Sequence, residues 1–151
     1  MEQFMVREAA TPEDMWHLLA LYTHLHQNPM PEPGPELDTL WSRMVRDPDH
    51  YILLGFSGDV LVSSCVLLIV PNLTWGQRPY ALVENVVTHA EYRGQGFGRR
   101  VMEQAREMAQ ARHCYKIALM TGSKGESVLG FYGSLGYNQQ DKTAFVRWLP
   151  E

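Results

Sequence analysis

The chain has 151 residues, a length that suits one domain built around a single core, and we expect residues 1–151 to form that domain. Its hydrophobic content of 45% is ordinary for a globular protein. The formal net charge of −4 argues against a general nucleic-acid binder, which would need a basic face.

Three features that the sequence lacks indicate in which cellular compartment we expect the protein. The first residues carry neither the basic nor the apolar region of a signal peptide. The longest apolar run, residues 65–70, is too short to cross a bilayer, so we expect no membrane partner. Cys65 and Cys114 are isolated thiols without metal-ligand spacing. We therefore expect a cytoplasmic, reduced protein.

Hydrophobic periodicity and turn residues predict alternating helices and strands. Thr11 is a predicted N-cap, followed by proline at position 12 and an acidic first turn. Ser57-Gly58-Asp59 is a predicted hairpin turn. The predicted helices run over 12–25 (with an ending at 27–29), 37–45, 97–112 and 126–135. The predicted strands run over 3–9, 51–56, 60–70, 80–88, 115–121 and 142–149. Together they predict an α/β architecture, a mixed sheet with helices on both faces.

The most informative segment is residues 83–100, where a predicted strand passes through a glycine-rich turn into a helix. Glycines at 94, 96 and 98 let the backbone approach a ligand closely. The helix directs its unpaired N–H groups and the positive end of its dipole at the turn. Arg93, Arg99 and Arg100 add positive charge. The segment therefore predicts a binding site for a di-anion such as a pyrophosphate.

Two common phosphate-binding loops do not match this turn. A Walker loop ends in Gly-Lys-Ser/Thr, whereas this turn ends in Gly98-Arg99-Arg100. A dinucleotide-binding turn spaces its glycines by two and then three residues, whereas Gly94, Gly96 and Gly98 are spaced by two and two. A nucleotide-binding protein of the P-loop kind is therefore disfavoured.

The pattern Arg93-x-x-Gly96-x-Gly98 resembles the acyl-CoA pyrophosphate loop of the GCN5-related N-acetyltransferase (GNAT) family. Residues 84–87 resemble that family's central strand. Residues 130–137 resemble its Phe-Tyr-x-x-x-Gly-aromatic helix ending. The order of these pieces fits from about residue 4 to about residue 148.

The resemblance implies a mixed, mostly antiparallel central sheet with helices on both faces and a splayed central strand pair. It also implies acetyl-CoA as co-substrate, direct transfer to an amine, and no metal. Relatives commonly dimerise, so the resemblance allows a homodimer. The residues that it assigns to acetyl-CoA binding are Val86, Val87, Thr88, Arg93, Gly94, Gln95, Gly96, Phe97, Gly98 and Arg99.

Two side chains are the candidates for catalysis. Glu84 would be the general base, acting directly or through water on the substrate ammonium, as in some relatives. The alternative is a solvent-facing charge or a partner for a nearby arginine. Tyr132 would be the general acid that protonates the departing thiolate. Its alternative is a half-buried aromatic that packs on the sheet.

One position departs from the family pattern. Many relatives have an asparagine seven residues before the tyrosine, bonding the pantetheine arm, but this chain has Gly125. A contact from this segment must then come from the backbone, from Ser123 or Lys124, or be absent. His89 is more readily explained as a turn residue that bonds the loop than as a base.

The leading hypothesis is an acetyl-CoA-dependent N-acetyltransferase that acts on a primary amine of a small molecule or peptide. The alternative is a non-catalytic acyl-CoA-binding sensor or regulatory module. The acceptor site is expected to use the first two helices and residues 71–79, and its aromatic and polar residues suit a cation or a sugar. Those residues are Trp16, Tyr22, His26, Trp41, Asn72 and Trp75. They leave an amino sugar, a polyamine, an aminoglycoside and a peptide N-terminus all open.

Overall fold

A computed structural model provides the fold and describes residues 3–25 and 28–151. The elements, in chain order, are β1 (Phe4–Glu8), α1 (Pro12–Tyr22), α2 (Pro35–Arg46), β2 (His50–Ser57), β3 (Val60–Val70), β4 (Tyr80–Thr88), α3 (Phe97–Ala111), β5 (Ile117–Leu119) and α4 (Glu126–Ser134). A short 3₁₀ turn, Ala90–Tyr92, lies between β4 and α3. Among the described residues, no helix is long and apolar enough to cross a membrane.

The strands form one open sheet in the order β1-β2-β3-β4-β5. The first four strands pair antiparallel, and β5 pairs parallel with β4. Because the chain from β4 to β5 passes through α3, this last pair has the crossover that a parallel connection requires. The predicted mixed, mostly antiparallel sheet is therefore confirmed.

Two hydrophobic clusters cover the two faces of the sheet. On one face, Val101, Met102, Ala105 and Ala109 of α3 are buried against inward side chains of the strands. On the other, buried residues of α1 and α2 pack on the sheet, and they include Leu18, Leu21 and Trp41. Successive residues of β2 alternate between the clusters, as a strand buried on both faces must. The predicted arrangement of helices on both faces is confirmed.

A capping box starts α1 where the sequence predicted it. The Thr11 hydroxyl accepts from the Asp14 N–H at 3.1 Å, and the Asp14 carboxylate accepts from the Thr11 N–H at 3.2 Å. Arg7 of β1 donates to both oxygens of the same carboxylate, at 2.9 and 2.7 Å. This guanidinium holds the pKa of Asp14 well below its usual range. The box therefore anchors the helix to the sheet as well as beginning it.

Two predicted elements were too long. α1 ends at Tyr22 rather than Leu25, and the predicted ending at Gln27 lies outside the described residues. β5 covers Ile117–Leu119 instead of 115–121, since only these residues find partners on β4. A prediction from local propensity alone makes an element too long, because the ends of the element also need partners from the rest of the fold.

The predicted last strand, residues 142–149, is wrong. These residues are exposed and adopt no regular structure. The alternating apolar pattern was real, but a strand also needs a neighbour for its backbone N–H and C=O groups. In this structure no described residue supplies that neighbour.

Candidate functional site

A β-bulge interrupts β4 at the centre of the sheet. Ser64 pairs with Val87 and Val66 pairs with Glu84, so Cys65 alone lies opposite two residues of β4. One of these two, Asn85, has φ of 50°, a left-handed conformation that asparagine tolerates better than most residues. The bulge thus kinks the strand between Glu84 and Val87.

The bulge also changes which side chains face which helices. Val83 and Val86 both contact the cluster beneath α3, whereas Val87 is buried on the α1–α2 face. A regular strand would have placed residues three apart on opposite faces. Glu84, next to Val83, is turned to the α1–α2 face by the same alternation.

The second half of β4 has one free edge. Pairing with β5 ends at Val83 opposite Leu119, and among the described residues no strand pairs on that side of Glu84 to Thr88. Such an edge leaves backbone N–H and C=O groups open to a ligand. The predicted splayed strand pair is therefore present, and it leaves one side of β4 beyond Val83 without a strand neighbour in the described part of the chain.

Glu84 is half-buried at the start of this free edge. Among residues 3–25 and 28–151, no cation forms an ion pair with its carboxylate. The alternative explanation of Glu84 as an arginine's partner therefore receives no support from this part of the chain.

The glycine-rich turn opens onto the beginning of α3. Gly94 and Gly96 have φ of 77° and 83°, conformations that cost other residues free energy. Gly96 is the N-cap of α3 and offers no side-chain oxygen, and the first turn contains no acidic residue. The first amide groups of α3, from Phe97, Gly98 and Arg99, thus face the turn without a capping side chain.

Gly98 brings α3 close to the end of β4. A Cβ atom at Gly98 would lie 3.1 Å from Thr88 Oγ1 and 3.5 Å from Phe131 Cζ of α4. Thr88 Oγ1 in turn lies 3.0 Å from the hydroxyl oxygen of Ser63, which is fully buried. This close packing sets the distance between the free edge of β4 and the first amides of α3.

The three arginines of the turn have different partners. Arg93 donates to the carbonyl oxygens of Thr88, at 3.1 Å, and His24, at 3.3 Å. Arg99 donates to the Ser134 hydroxyl at 2.6 Å. Arg100 lies over the Phe4 ring and donates to its carbonyl, so its charge is directed to β1. Arg93 and Arg99 remain beside the turn, and Arg93 also holds it against the end of α1.

Tyr132 lies on α4, half-buried, with its ring 5.1 Å from that of Phe131. Burial raises the pKa of its phenol, and the nearby Cys65 adds to the shift. Tyr132 packs against the cluster beneath α3 that contains Cys65, the residue opposite the bulge. A phenol with a raised pKa is fully protonated at neutral pH, as a proton donor must be.

The segment before α4 uses its hydroxyl groups locally. Gly125 is the N-cap of α4, and its N–H donates to the Ser123 hydroxyl at 3.3 Å. The Ser123 N–H donates to the Thr121 hydroxyl at 3.1 Å. Ser123 is therefore engaged within its own loop, which leaves Lys124 as the exposed charged residue of this segment.

The remaining reactive side chains have structural surroundings. Burial raises the pKa of both cysteine thiols, that of Cys65 to about 12, so neither is a thiolate at neutral pH. His89 Nδ1 accepts from the Glu91 N–H at 3.1 Å, the turn role that the sequence favoured. Within the described ranges, no group of His, Cys, Asp and Glu is arranged to hold a metal ion.

Most of the predicted acceptor residues do not converge. Trp41 is buried in the core, Asn72 bonds within its own loop, and Trp75 stacks on Tyr115 at 5.0 Å. His26 lies outside the described residues. Trp16 packs against the α1–α2 cluster. Tyr22 reaches the bulge, where it hydrogen-bonds the Asn85 side chain, and burial raises its pKa to about 12. The sequence offered one indication of this contact, an asparagine inside a strand.

Comparison with known proteins identifies the family. The model of the acetyltransferase (GNAT) family matches residues 14–137, most of the chain. This protein belongs to the GNAT acetyltransferase family. The match includes β4, the glycine-rich turn and the helix that carries Tyr132, the segments on which the resemblance was based. The family uses acetyl-CoA as co-substrate.

Two curated relatives illustrate the range of similarity. Glucosamine 6-phosphate N-acetyltransferase of Trypanosoma brucei brucei is 33% identical over 82 residues, 54% of this chain and 54% of that protein. The chain therefore aligns with about half the length of that relative. An acetyltransferase of Yersinia pseudotuberculosis is 28% identical over 111 residues, 74% of this chain and 72% of that protein.

Solved structures extend the likeness to the whole fold. An acetyltransferase candidate from Agrobacterium tumefaciens C58 is 37% identical, with a TM-score of 0.87 over 95% of this chain and 99% of the other. An acetyltransferase from Trypanosoma brucei is 26% identical, with a TM-score of 0.81 over 97% and 100% of the two chains.

Proposed function

We propose that this protein is an acetyl-CoA-dependent N-acetyltransferase that acetylates a primary amine of a small molecule or peptide by direct attack. The observation that carries the proposal is the free edge of β4, which lies directly beside the uncapped beginning of α3. One site can thus bind an anionic phosphate group at the turn and a carbonyl at the strand.

The turn fits the pyrophosphate of acetyl-CoA in shape and charge. Positive φ angles at Gly94 and Gly96 form the bend, and no side chain caps the amides behind it. Gln95 is exposed in the same bend, and Arg93 and Arg99 supply positive charge at its sides. Amide groups at a helix N-terminus together with arginine are a common basis for phosphate binding.

The free edge of β4 would position the acyl group. Backbone groups of Val86, Val87 and Thr88 that point away from β3 would hold the pantetheine arm, and an N–H among them would polarise the thioester carbonyl. A fixed N–H donor directed at a developing oxyanion typically contributes about 3 kcal/mol to catalysis. Because the bulge kinks the strand here, these donors are directed differently from those of a regular ladder.

Glu84 and Tyr132 would move the two protons of the reaction. Glu84 takes the proton from the acceptor ammonium, directly or through water, so that the neutral amine can attack. Tyr132 donates its phenolic proton to the departing sulfur. General acid–base groups of this kind typically contribute between about 10²-fold and 10⁴-fold.

Release of free thiol from acetyl-CoA tests the activity against a panel of amines. The panel should contain glucosamine 6-phosphate, an aminoglycoside, a polyamine and a peptide with a free N-terminus, the classes left open by the sequence. We expect at least one amine to be turned over. If none releases thiol while acetyl-CoA still binds, the catalytic proposal fails and a sensor function is favoured instead.

Two substitutions test the proton-transfer roles. Glu84→Gln and Tyr132→Phe should each lower kcat by about 10²-fold with acetyl-CoA affinity retained. Because burial raises the pKa of Tyr132, the wild-type rate should fall only above pH 10. The pH–rate profile of Tyr132→Phe should not show this decrease at high pH. Tyr80→Phe, at the opposite end of β4, is the matched control. Unchanged rates in either test variant would remove that residue from the mechanism.

A further inference from the structure

Two histidine rings connect the end of α1 with the chain that follows β4. His24, two residues beyond α1, has its ring centre 4.0 Å from that of His89, the residue directly after β4. We call these two residues the histidine pair. The pair takes no part in the chemistry proposed above, yet Arg93 of the glycine-rich turn also bonds here, to the carbonyl oxygen of His24 at 3.3 Å.

Both rings of the histidine pair accept hydrogen bonds from the short 3₁₀ turn. His24 Nδ1 accepts from the Ala90 N–H at 3.4 Å, and His89 Nδ1 accepts from the Glu91 N–H at 3.1 Å. A ring nitrogen can accept only while it carries no proton, whereas a protonated imidazole has two donors and no acceptor. The observed hydrogen bonds therefore require both rings to be neutral.

The groups around the histidine pair favour this neutral state. Four titratable or charged side chains face it from three elements: His17 of α1, Asp59 of the β2–β3 hairpin, and Glu91 and Arg93 after β4. Partial burial lowers the pKa of His24, and the positive charges of His89 and Arg93 lower it further against the opposing effect of Glu91. Asp59 and Glu91 are exposed, so solvent screens their attraction for a proton on either ring.

A series of ring contacts leads from the histidine pair to the first residue of α3. The His89 ring meets the Tyr92 ring edge-on at 5.3 Å, and the Tyr92 ring lies 6.3 Å from that of Phe97. Phe97 begins α3, and its amide is one of those proposed to bind the pyrophosphate. Since packed side chains transmit displacement to their neighbours, a movement of the His89 ring reaches the first turn of α3.

We propose that His24 and His89 are positioning residues for the acetyl-CoA turn that act only while both are neutral, so that acidification weakens acetyl-CoA binding. This rests on the proposed function, because it requires the pyrophosphate to bind at the turn. Protonated rings would lose both Nδ1 acceptors and would repel each other across 4.0 Å. The added charges would also attract the anionic ligand, but the lost contacts are direct, so we expect their loss to prevail.

The affinity for acetyl-CoA, measured by calorimetry on the full chain between pH 7.5 and pH 5.0, tests the proposal. The phosphate monoester of coenzyme A also takes up a proton in this range, so wild type must be compared with variants. His24→Asn combined with His89→Asn is the informative variant, because an asparagine oxygen accepts the same N–H groups but does not titrate. The matched control is His50→Asn, at the end of β2 farthest from the hairpin.

The double variant should bind acetyl-CoA as tightly as wild type at pH 7.5. By pH 5.0 the wild-type Kd should have risen roughly tenfold more than that of the double variant, and His50→Asn should follow wild type. Equal pH dependence in wild type and the double variant would overturn the proposal, as would tighter wild-type binding in acid. A protein that binds no acetyl-CoA at any pH would instead contradict the proposed function.

An NMR titration of the imidazole signals needs only the wild-type protein, in case the double variant does not fold. Because proton binding and acetyl-CoA binding oppose each other in the proposal, saturating acetyl-CoA must move the protonation of His24 to lower pH. A move to higher pH would show that attraction between the protonated ring and the ligand prevails. Either that result or no movement excludes the proposal.

Discussion

Gly98 provides a sharp test of how the turn and β4 are held together, through the substitution Gly98→Val. A Cβ atom there would lie 3.1 Å from Thr88 Oγ1, closer than ordinary van der Waals contact, and the Val methyl groups would approach the Phe131 ring. Thr88 cannot yield easily because it is linked to the fully buried Ser63. The first turn of α3 must therefore move away from β4.

The expected magnitude follows from this crowding. Overpacking a close contact typically costs about 1–3 kcal/mol, which for a chain of this size lowers Tm by roughly 2–10 °C. Displaced α3 amides would weaken the hydrogen bonds proposed to the pyrophosphate, which are charge-assisted and contribute about 1.5–3 kcal/mol each. Losing about half of one such bond raises the KM for acetyl-CoA roughly 4- to 12-fold.

Thiol release at varied acetyl-CoA and a thermal melt measure the two effects separately. Gly130→Ala is the matched control, since it lies in α4 with no atom within 4 Å of an added Cβ. That change should stabilise the protein by up to about 1 kcal/mol and leave KM unaltered. A folded Gly98→Val enzyme with the wild-type KM for acetyl-CoA would refute the reasoning.

Two further predictions concern arginine side chains, one bonded to a carboxylate and one to backbone carbonyls. Asp14→Asn should lower stability by about 2 kcal/mol at neutral pH, a modest figure because Arg7 is partly exposed. Since the folded-state pKa of Asp14 is depressed, its stabilising effect is complete above pH 4 and is lost as pH falls below that, so acid titrations of wild type and variant should converge. Arg93→Lys keeps the positive charge but removes the planar guanidinium that donates to the carbonyl oxygens of Thr88 and His24. It should raise the KM for acetyl-CoA several-fold in steady-state kinetics, whereas a purely electrostatic role for Arg93 predicts no change.

Local sequence patterns were sufficient where the deciding contacts lie within a few residues. The start of α1 depends on Thr11 and Asp14, three residues apart, and both were recognisable from the sequence. The bend before α3 depends on glycines whose backbone freedom is intrinsic. The family motif combines such local features, which is why the fold class and the family could both be predicted.

Contacts between distant segments were not predictable in the same way. The bulge at Asn85 arises from pairing with β3, some twenty residues earlier in the chain. Arg93 donates a hydrogen bond to the carbonyl oxygen of His24, 69 residues away in the chain. The type of neither residue predicts that contact. Trp41 was expected at an acceptor site, but packing against β2 and α1 buries it in the core.

The sequence by itself determined the helices, the turn and their order, because propensity, capping and periodicity act over a single turn or strand. Only the tertiary structure decided which strand edges are paired, since a backbone hydrogen bond requires a partner as well as a propensity. Among the described residues, the edge of β4 beyond Val83 has no strand partner beside α3, and the outer edge of β5 has none either.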